Sequence, residues 1–512
     1  MAHNGIVILD YGAQYTQLIA RRIRAAHVYS QIFPFNTAKE KILESRPKGI
    51  ILSGGPSSVF GDEAPGLTEW FDGIDVPVLG ICYGMQLLAQ RMGASVETSA
   101  VGEYGHTQVT VNGDSPLLHG VPNEIRVWMS HGDKVLDVPD GVDITASSEE
   151  CKIASFADRA RGWYGVQFHP EVHHTEHGDQ ILRNFALDIC GCAPDWVPGS
   201  IVQETVEDIR QRVGDRRVIC AVSGGVDSSV TAAMVDRAVG DRLVCVFVDN
   251  GLLRENEASD VIDMLNSQLT APLVFADAGK RFLDRLKGVS DPEVKRKRIG
   301  NLFIELFEEV SNEKGPFEFL AQGTLYPDRI ESVSTFGPSA TIKTHHNVGG
   351  LPEKFNFELV EPLALLFKDE VRIIGAELGI PAEQLARHPF PGPGLAVRVL
   401  GEVTEERLSI LRKADKIFID GLKRWNLYDE VWQAGAILLP VQSVGVMGDA
   451  RTYENAVILR AVTSTDGMTA DWAQLDPAFL QETSSRIINS VTGINRVAYD
   501  ISSKPPSTIE WE

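Results

Sequence analysis

The sequence predicts an α/β protein: two doubly wound α/β domains followed by a smaller C-terminal α+β domain. Three observations carry this expectation. Short apolar runs alternate with helical patterns from the N-terminus to about residue 185, the rhythm of a sheet with helices on its faces. After CGCAPDWVPGS, where Cys, Gly and Pro crowd together, the alternation restarts at RRVICAVS. Beyond ARHPFPGPG it changes to one long helical pattern and paired apolar runs. The expected boundaries are a first domain over 1–190, a linker over 191–205, a second domain over 206–392 and a third over 393–512.

In the first segment GIVILD, KGIILSGG and VPVLGI read as strands, with helices through QLIARRIRAA and CYGMQLLAQRMG. RVWMSHGD, KIASFAD and GWYGVQFHPEV read as further strands. In the second, RRVICAVS, RLVCVFVDNG and APLVFADA are strands and SSVTAAMVDRAVG a helix. The prolines of ARHPFPGPG fix a rigid connection, since proline suits neither a helix interior nor a central strand. In the third, TEERLSILRKADKIFIDGLKRW is a helix, and GDAR between VWQAGAILLPV–VGVM and TYENAVILRAV marks a hairpin.

Bulk properties narrow the function. Hydrophobic residues make up 43% and charged residues 23% of 512, ordinary globular composition. The formal net charge of −22 argues against a nucleic-acid-binding face, which needs clustered Lys and Arg. It leaves room for small anionic substrates, because helix N-termini and a few local cations hold a phosphate. No apolar stretch approaches the roughly 20 residues of a membrane span. The start, MAHNGIVILDYGAQ, lacks the charged and apolar regions of a secretory leader, and the six cysteines form no dense framework. A cytoplasmic location is expected, with neither nucleic acid nor membrane as partner.

Cys82 falls where a strand ends and a helix begins, flanked by Gly80 and Gly84, the setting of a strained nucleophile elbow. The dipole of the following helix favours a thiolate there. A lone buried cysteine is more often an inert small hydrophobe. GVQFHPEV, however, places His169 and Glu171 two residues apart at a strand end, able to share a face. Cysteine, a histidine that accepts and returns its proton, and a carboxylate that orients the ring make a nucleophilic triad. SGGP after a strand offers backbone N–H groups, and those of Gly55 and Tyr83 are the candidate oxyanion donors. LGICYGMQLL and VQFHPEV resemble the nucleophile and histidine motifs of the class I glutamine amidotransferases. That resemblance implies that Cys82 attacks the glutamine carboxamide, His169 protonates departing ammonia and Glu171 orients His169.

The second constellation is Ser223, Gly224, Gly225, Val226, Asp227, Ser228 and Ser229, following a strand and opening a helix. Its glycines let amides approach phosphate oxygens, and its hydroxyls add donors. It has no lysine of the G-x-x-x-x-G-K-[ST] kind, which fits a grip on departing pyrophosphate rather than γ-phosphoryl transfer. The loop resembles that of the N-type ATP pyrophosphatases, which adenylate an oxygen and then displace AMP. ATP is therefore the expected nucleotide, with Mg²⁺ held through Asp227 as the cofactor and no organic prosthetic group. DPEVKRKRIG concentrates cations, most of which would ordinarily sit on a solvated helix face. GTLYPDRIESVSTFGPSATIKTHHNVGGLP reads as an active-site lid with Asp328, Glu331, Lys343, His345 and His346 as candidate polar groups. The adjacent histidines lack further ligands at metal spacing.

The two halves together imply ATP-dependent amination, and the C-terminal part names the acceptor. HPFPGPGLAVRV, KPPSTIEWE, IKTHHNVGGLP and DPE-x-KRK-x-IG resemble the glutamine-hydrolysing GMP synthetases over essentially the full chain. The resemblance implies XMP, ATP and glutamine as substrates, a homodimer through the C-terminal domain, and XMP contacts from Arg296, Lys504, Ile509 and Glu510. Two prolines stiffen a tail that would otherwise fray, and TIEWE supplies apolar anchors. Rival readings keep the nucleotide loop and change the acceptor: amidation of a carboxylate as in NAD synthesis, or thiolation of tRNA. The C-terminal motifs oppose the first; the missing C-x-x-C pair and negative charge oppose the second. Cys190 and Cys192 are read as ordinary cysteines.

Overall fold

The computed structural model describes residues 4–61, 64–113, 115–333, 357–447, 450–464 and 469–512. Its contacts divide the chain into two compact units, Met1–Ile201 with Tyr326–His346, and Val202–Leu325 with Asn347–Glu512.

In the first unit the described residues form β1 (Ile6–Asp10), β2 (Ser30–Pro34), β3 (Gly49–Leu52), β4 (Val78–Ile81), β5 (Val96–Val111), β6 (Glu124–Val135), β7 (Asp143–Ser147), β8 (Ser155–Asp158) and β9 (Trp163–Val166). They make one sheet in the order β2-β1-β3-β4-β9-β8-β7-β5-β6. From β2 to β9 the neighbours are parallel, and from β9 to β6 antiparallel. The expected doubly wound sheet is therefore the parallel half of a mixed one. IVIL, GIIL and VLGI are buried throughout, as strands covered on both faces must be.

The helix Tyr83–Met92 lies tightly on β3 and β4. A methyl on Gly80 would sit 2.5 Å from the Gly84 backbone, and one on Gly84 would collide with the Leu52 carbonyl. The two glycines therefore serve close helix–strand approach rather than the elbow's dihedrals. Neither has a positive φ, whereas Cys82 itself does, at 50°.

In the second unit β10 (Val218–Ala221), β11 (Leu243–Asp249), β12 (Leu273–Asp277), β13 (Phe319–Ala321) and β14 (Glu358–Val360) form a parallel sheet ordered β12-β11-β10-β13-β14. The order reverses at β10, and doubly wound sheets bind ligands beyond the carboxyl ends of strands at such a point. β15 (Gln433–Met447) and β16 (Ala450–Thr463) form the expected hairpin, with β17 (Asp471–Trp472) and β18 (Ile494–Tyr499) both paired to β16. The helices Glu405–Arg424 and Pro477–Ser490 pack on this third sheet. One apolar cluster runs from Leu252, Phe282 and Leu306 through Leu395 to Phe418, Phe479 and Ile494, joining the packing of the second and third sheets. Residues 198–205 of the expected linker belong to the helix Pro198–Val213. No helix among the described residues is long and apolar enough to cross a membrane.

Because Gly84 abuts the Leu52 carbonyl, Gly84→Ala overpacks the helix–strand contact and costs about 1–3 kcal/mol. Urea unfolding would register this as a lower midpoint; an unchanged midpoint would contradict the packing argument.

Candidate active site

Cys82 caps the helix Tyr83–Met92 with φ 50° and ψ −106°, dihedrals that a non-glycine residue adopts only when its surroundings impose them. Its N–H donates to the Val166 carbonyl at 2.8 Å, and its own carbonyl accepts from Gln86 N at 3.1 Å. The sulfur is consequently fixed where β4 meets β9, with the side chain of Cys82 buried and that of His169 beside it. The His169 ring stands beside Cys82, and its Nδ1 lies 2.8 Å from Glu171 Oε1.

β9 ends at Val166, three residues before His169, so strand alternation is not what aligns His169 with Glu171. The turn at Pro170 does this, held by His169 N–H on the Trp128 carbonyl (3.0 Å) and Thr175 Oγ1 on the His169 carbonyl (2.6 Å). Arg22 Nε donates to the Glu171 carbonyl at 3.1 Å. Burial on its own would pull the His169 pKa down. The charge of Glu171, whose carboxylate accepts from Nδ1, together with the neighbouring Cys82 sulfur outweighs that, leaving it well above 6.5. Gly54 lies against the pair: a methyl there would come 3.1 Å from His169 Cε1 and 3.8 Å from Cys82 Cβ. Among the described residues nothing accepts from the Gly55 or Tyr83 amide. The sulfur has two further neighbours that motif reading did not find, the Ser130 carbonyl at 3.6 Å and Gln167 Nε2 at 3.7 Å.

In the second unit the 223–229 loop follows β10 and opens the helix Val226–Val239. Gly224 has φ 74°, and Ser223 and Ser228 tie the turn together through Oγ–Oγ and N–Oγ contacts of 3.1 and 3.2 Å. Both Asp227 carboxylate oxygens lie 2.5 Å from Lys368 Nζ. Arg387 donates to the Gly224 carbonyl and pairs with Glu257, bracing the loop from behind. Lys368 and Arg387 stand more than a hundred residues downstream of the loop, a separation no motif spacing spans, which is why sequence reading passed over them.

The tail is docked. Arg460, 4% exposed, donates to the Ser502, Thr508 and Ile509 carbonyls and to Ser507 Oγ, and pairs with Asp500 at 2.7 Å. Arg398 grips both Glu510 oxygens (2.7 and 3.0 Å), and Gln433 reaches the same carboxylate. Burial pushes the Glu510 carboxyl up, but the Arg398 guanidinium prevails and holds it below the usual carboxylate range. Of the basic run, Lys295 is wholly buried and bonded to the Ala396 and Val399 carbonyls and to Glu512, while Arg296 meets the Glu512 main chain. Lys504 exchanges backbone hydrogen bonds with Ala470. Arg296, Ile509 and Glu510 are thus tied into one arrangement with the tail.

Of the lid candidates, Asp328 lies in the first turn of the helix Tyr326–Val333 and Glu331 further along it. Lys343, His345 and His346 lie outside the described residues. Cys190 and Cys192 are buried free thiols; burial pushes both up, Cys192 to about 11.

A strained cysteine elbow on the parallel half of a mixed sheet, with a histidine–carboxylate pair beside it, is the arrangement a triad-type amidotransferase requires. Residues 7–189 match the family described as glutamine amidotransferase class-I, and residues 420–511 match the GMP synthase C terminal domain. The whole chain resembles proteins named GMP synthase [glutamine-hydrolyzing]. That of Chlorobium limicola is 58% identical, that of Chlorobaculum tepidum 57% and that of Syntrophomonas wolfei 54%, each over 99% of both chains. The chain belongs to the glutamine-hydrolysing GMP synthase family.

Removing the Glu171 charge takes away the main influence that raises His169, so Glu171→Gln shifts the His169 titration to lower pH. It should also slow glutamine hydrolysis on the order of 10²-fold or more. NMR titration of labelled histidine checks the shift; an unmoved His169 midpoint would contradict it.

Proposed function

We propose that this chain makes GMP, hydrolysing glutamine at Cys82 and using the ammonia to aminate XMP activated by ATP. The observation that carries the reading is the Cys82–His169–Glu171 alignment in a chain whose relatives are glutamine-hydrolysing GMP synthases over their full length. Cys82 sulfur bonds to the carboxamide carbon of glutamine while its proton passes to His169. The oxyanion that forms faces the Gly55 and Tyr83 amides, whose lack of other acceptors supports this role. His169, kept proton-rich by Glu171, returns the proton to the leaving nitrogen, and ammonia departs from a glutamyl thioester. Water, deprotonated by His169, then releases glutamate and restores the thiol.

On the synthetase side O2 of the xanthine attacks the α-phosphorus of ATP, and pyrophosphate leaves towards the 223–229 loop. Ammonia bonds to C2, the C2–O2 bond breaks with its electron pair and O2 leaving on AMP, and nitrogen loses one proton to solvent. The loop's contribution is positioning and charge neutralisation. The hard-oxygen carboxylate of Asp227 suits Mg²⁺, which would neutralise phosphate charge, and the Lys368 ammonium paired with it would add a second cation beside the loop. Arg296, Lys504, Ile509 and Glu510 are assigned to XMP, and the tail's fixed seat on Arg398 and Arg460 supports a formed site there. Association through the C-terminal part is supported by the exposed Val441, Val444, Val446 and Tyr453 on the β15–β16 hairpin, where Val444 and Tyr453 are directly opposed.

The test supplies XMP and ATP with either glutamine or ammonium. Cys82→Ala keeps ammonium-dependent GMP formation and loses the glutamine-dependent route by a factor of about 10³ or more, as removal of a covalent nucleophile does. Loss of both routes together would overturn the assignment.

A further inference from the structure

Behind Cys82 runs a buried polar chain that the mechanism above does not use. Glu103 on β5 and His131 on β6 are direct cross-strand partners, their side chains 15% and 4% exposed. His131 Nδ1 donates to the Asp133 carbonyl at 2.9 Å, and Nε2 lies 3.1 Å from Glu103 Oε2. Both ring nitrogens thus face acceptors, which fixes the ring and closes residues 131–133 on themselves. Burial raises the Glu103 carboxyl, but hydrogen bonding, that with His131 foremost, outweighs this and brings it below its ordinary value.

The clamped segment touches the nucleophile by two routes. Ser130, the residue before His131, turns its carbonyl to Cys82 Sγ at 3.6 Å. The Asp133 carbonyl also accepts from Gln86 Nε2 at 2.8 Å, Gln86 Nε2 reaches Gln167 Oε1 at 3.4 Å, and Gln167 Nε2 donates to the same sulfur at 3.7 Å. Gln86 and Gln167 are buried, so each depends on these bonds for its orientation. On its other side, the Asp133 carboxylate accepts from Ser58 Oγ (2.6 Å) and Val59 N (3.2 Å), in the loop that follows Gly54 and Gly55.

We infer that Glu103 and His131 are positioning residues for glutamine hydrolysis: their buried pair fixes residues 130–133, which orient both the acceptor and the donor at the Cys82 sulfur. Neither residue touches the sulfur. The inference rests on Cys82 being the glutaminase nucleophile. A merely architectural role would lower stability and depress both nitrogen routes alike, whereas positioning acts on the sulfur alone.

The experiment uses the full-length chain as wild type, Glu103→Gln, Glu103→Asp and His131→Gln. Glutamine- and ammonium-dependent GMP formation are measured together with the rate at which iodoacetamide alkylates the Cys82 peptide. Wild type must use glutamine; failure there sinks the proposed function itself, not this inference. The expected result for Glu103→Gln and His131→Gln is a fall of about tenfold or more in glutamine-dependent kcat, about 1.4 kcal/mol in barrier. The KM for glutamine should move less than kcat, Cys82 alkylation should change severalfold, and the ammonium route should stay within about twofold. Glu103→Asp, which keeps the charge, should recover part of the loss. If His131→Gln does not accumulate as folded protein, the Glu103 pair carries the test. Equal loss in both routes, or unchanged kcat and alkylation in folded variants, overturns the inference.

Discussion

The backbone of Cys82 is the constraint on which the first unit is organised. A non-glycine residue at φ 50° and ψ −106° stores roughly 1–3 kcal/mol of strain, and it persists only where neighbours over-determine it. Those neighbours are the parallel strands β4 and β9, whose pairing receives the Cys82 amide, and the helix pressed on β3 through Gly84. Substituting either glycine would separate helix from sheet and let the elbow relax. The strain aims a sulfur at an imidazole that is itself fixed at Nδ1 by Glu171, leaving the ring's other edge for chemistry.

The second unit solves a different problem, seating a C-terminal segment rich in charge. Lys295, Arg398 and Arg460 are buried cations, and each is answered by the tail: Glu512, Glu510, and a set of carbonyls with Asp500. Buried pairs of this kind add little net stability, but leaving one partner unpaired costs about 3–5 kcal/mol, so they specify one seating over others. The apolar cluster linking the second and third sheets gives those cations a rigid base.

Much of this was legible in the sequence, and the parts that were not share a cause. Strands that are buried on both faces announce themselves as continuous apolar runs, so β1, β3, β4, β10 and β11 were plain. β5 was not: VETSAVGEYGHTQVTV mixes Gly, Thr and Glu and carries a register shift between Thr98 and Glu103, which breaks the alternation a strand is read by. Cys82, His169 and Glu171 could be singled out because the proposed chemistry depends on residue type at a fixed spacing, and the structure brings the three together. The strand-alternation reason for pairing His169 with Glu171 gives way to the Pro170 turn, and the loop-flexibility reason for Gly80 and Gly84 gives way to packing. Gln86, Gln167, Lys368, Arg387 and Arg460 act through contacts across long sequence separations, where a single sequence gives no spacing to read. Lys295 shows the converse: a basic run that reads as a solvated face hides one fully buried member.

The central claim is that one strained cysteine, and no other nucleophile, takes the glutamine carbon. Incubation with a diazoketone analogue of glutamine, followed by peptide mass mapping, tests it most directly. The account predicts a single adduct per chain on the Cys82 peptide, with glutamine-dependent GMP formation lost in step with labelling and the ammonium route retained. An adduct on another residue, or full labelling of Cys82 with glutamine use intact, would contradict it.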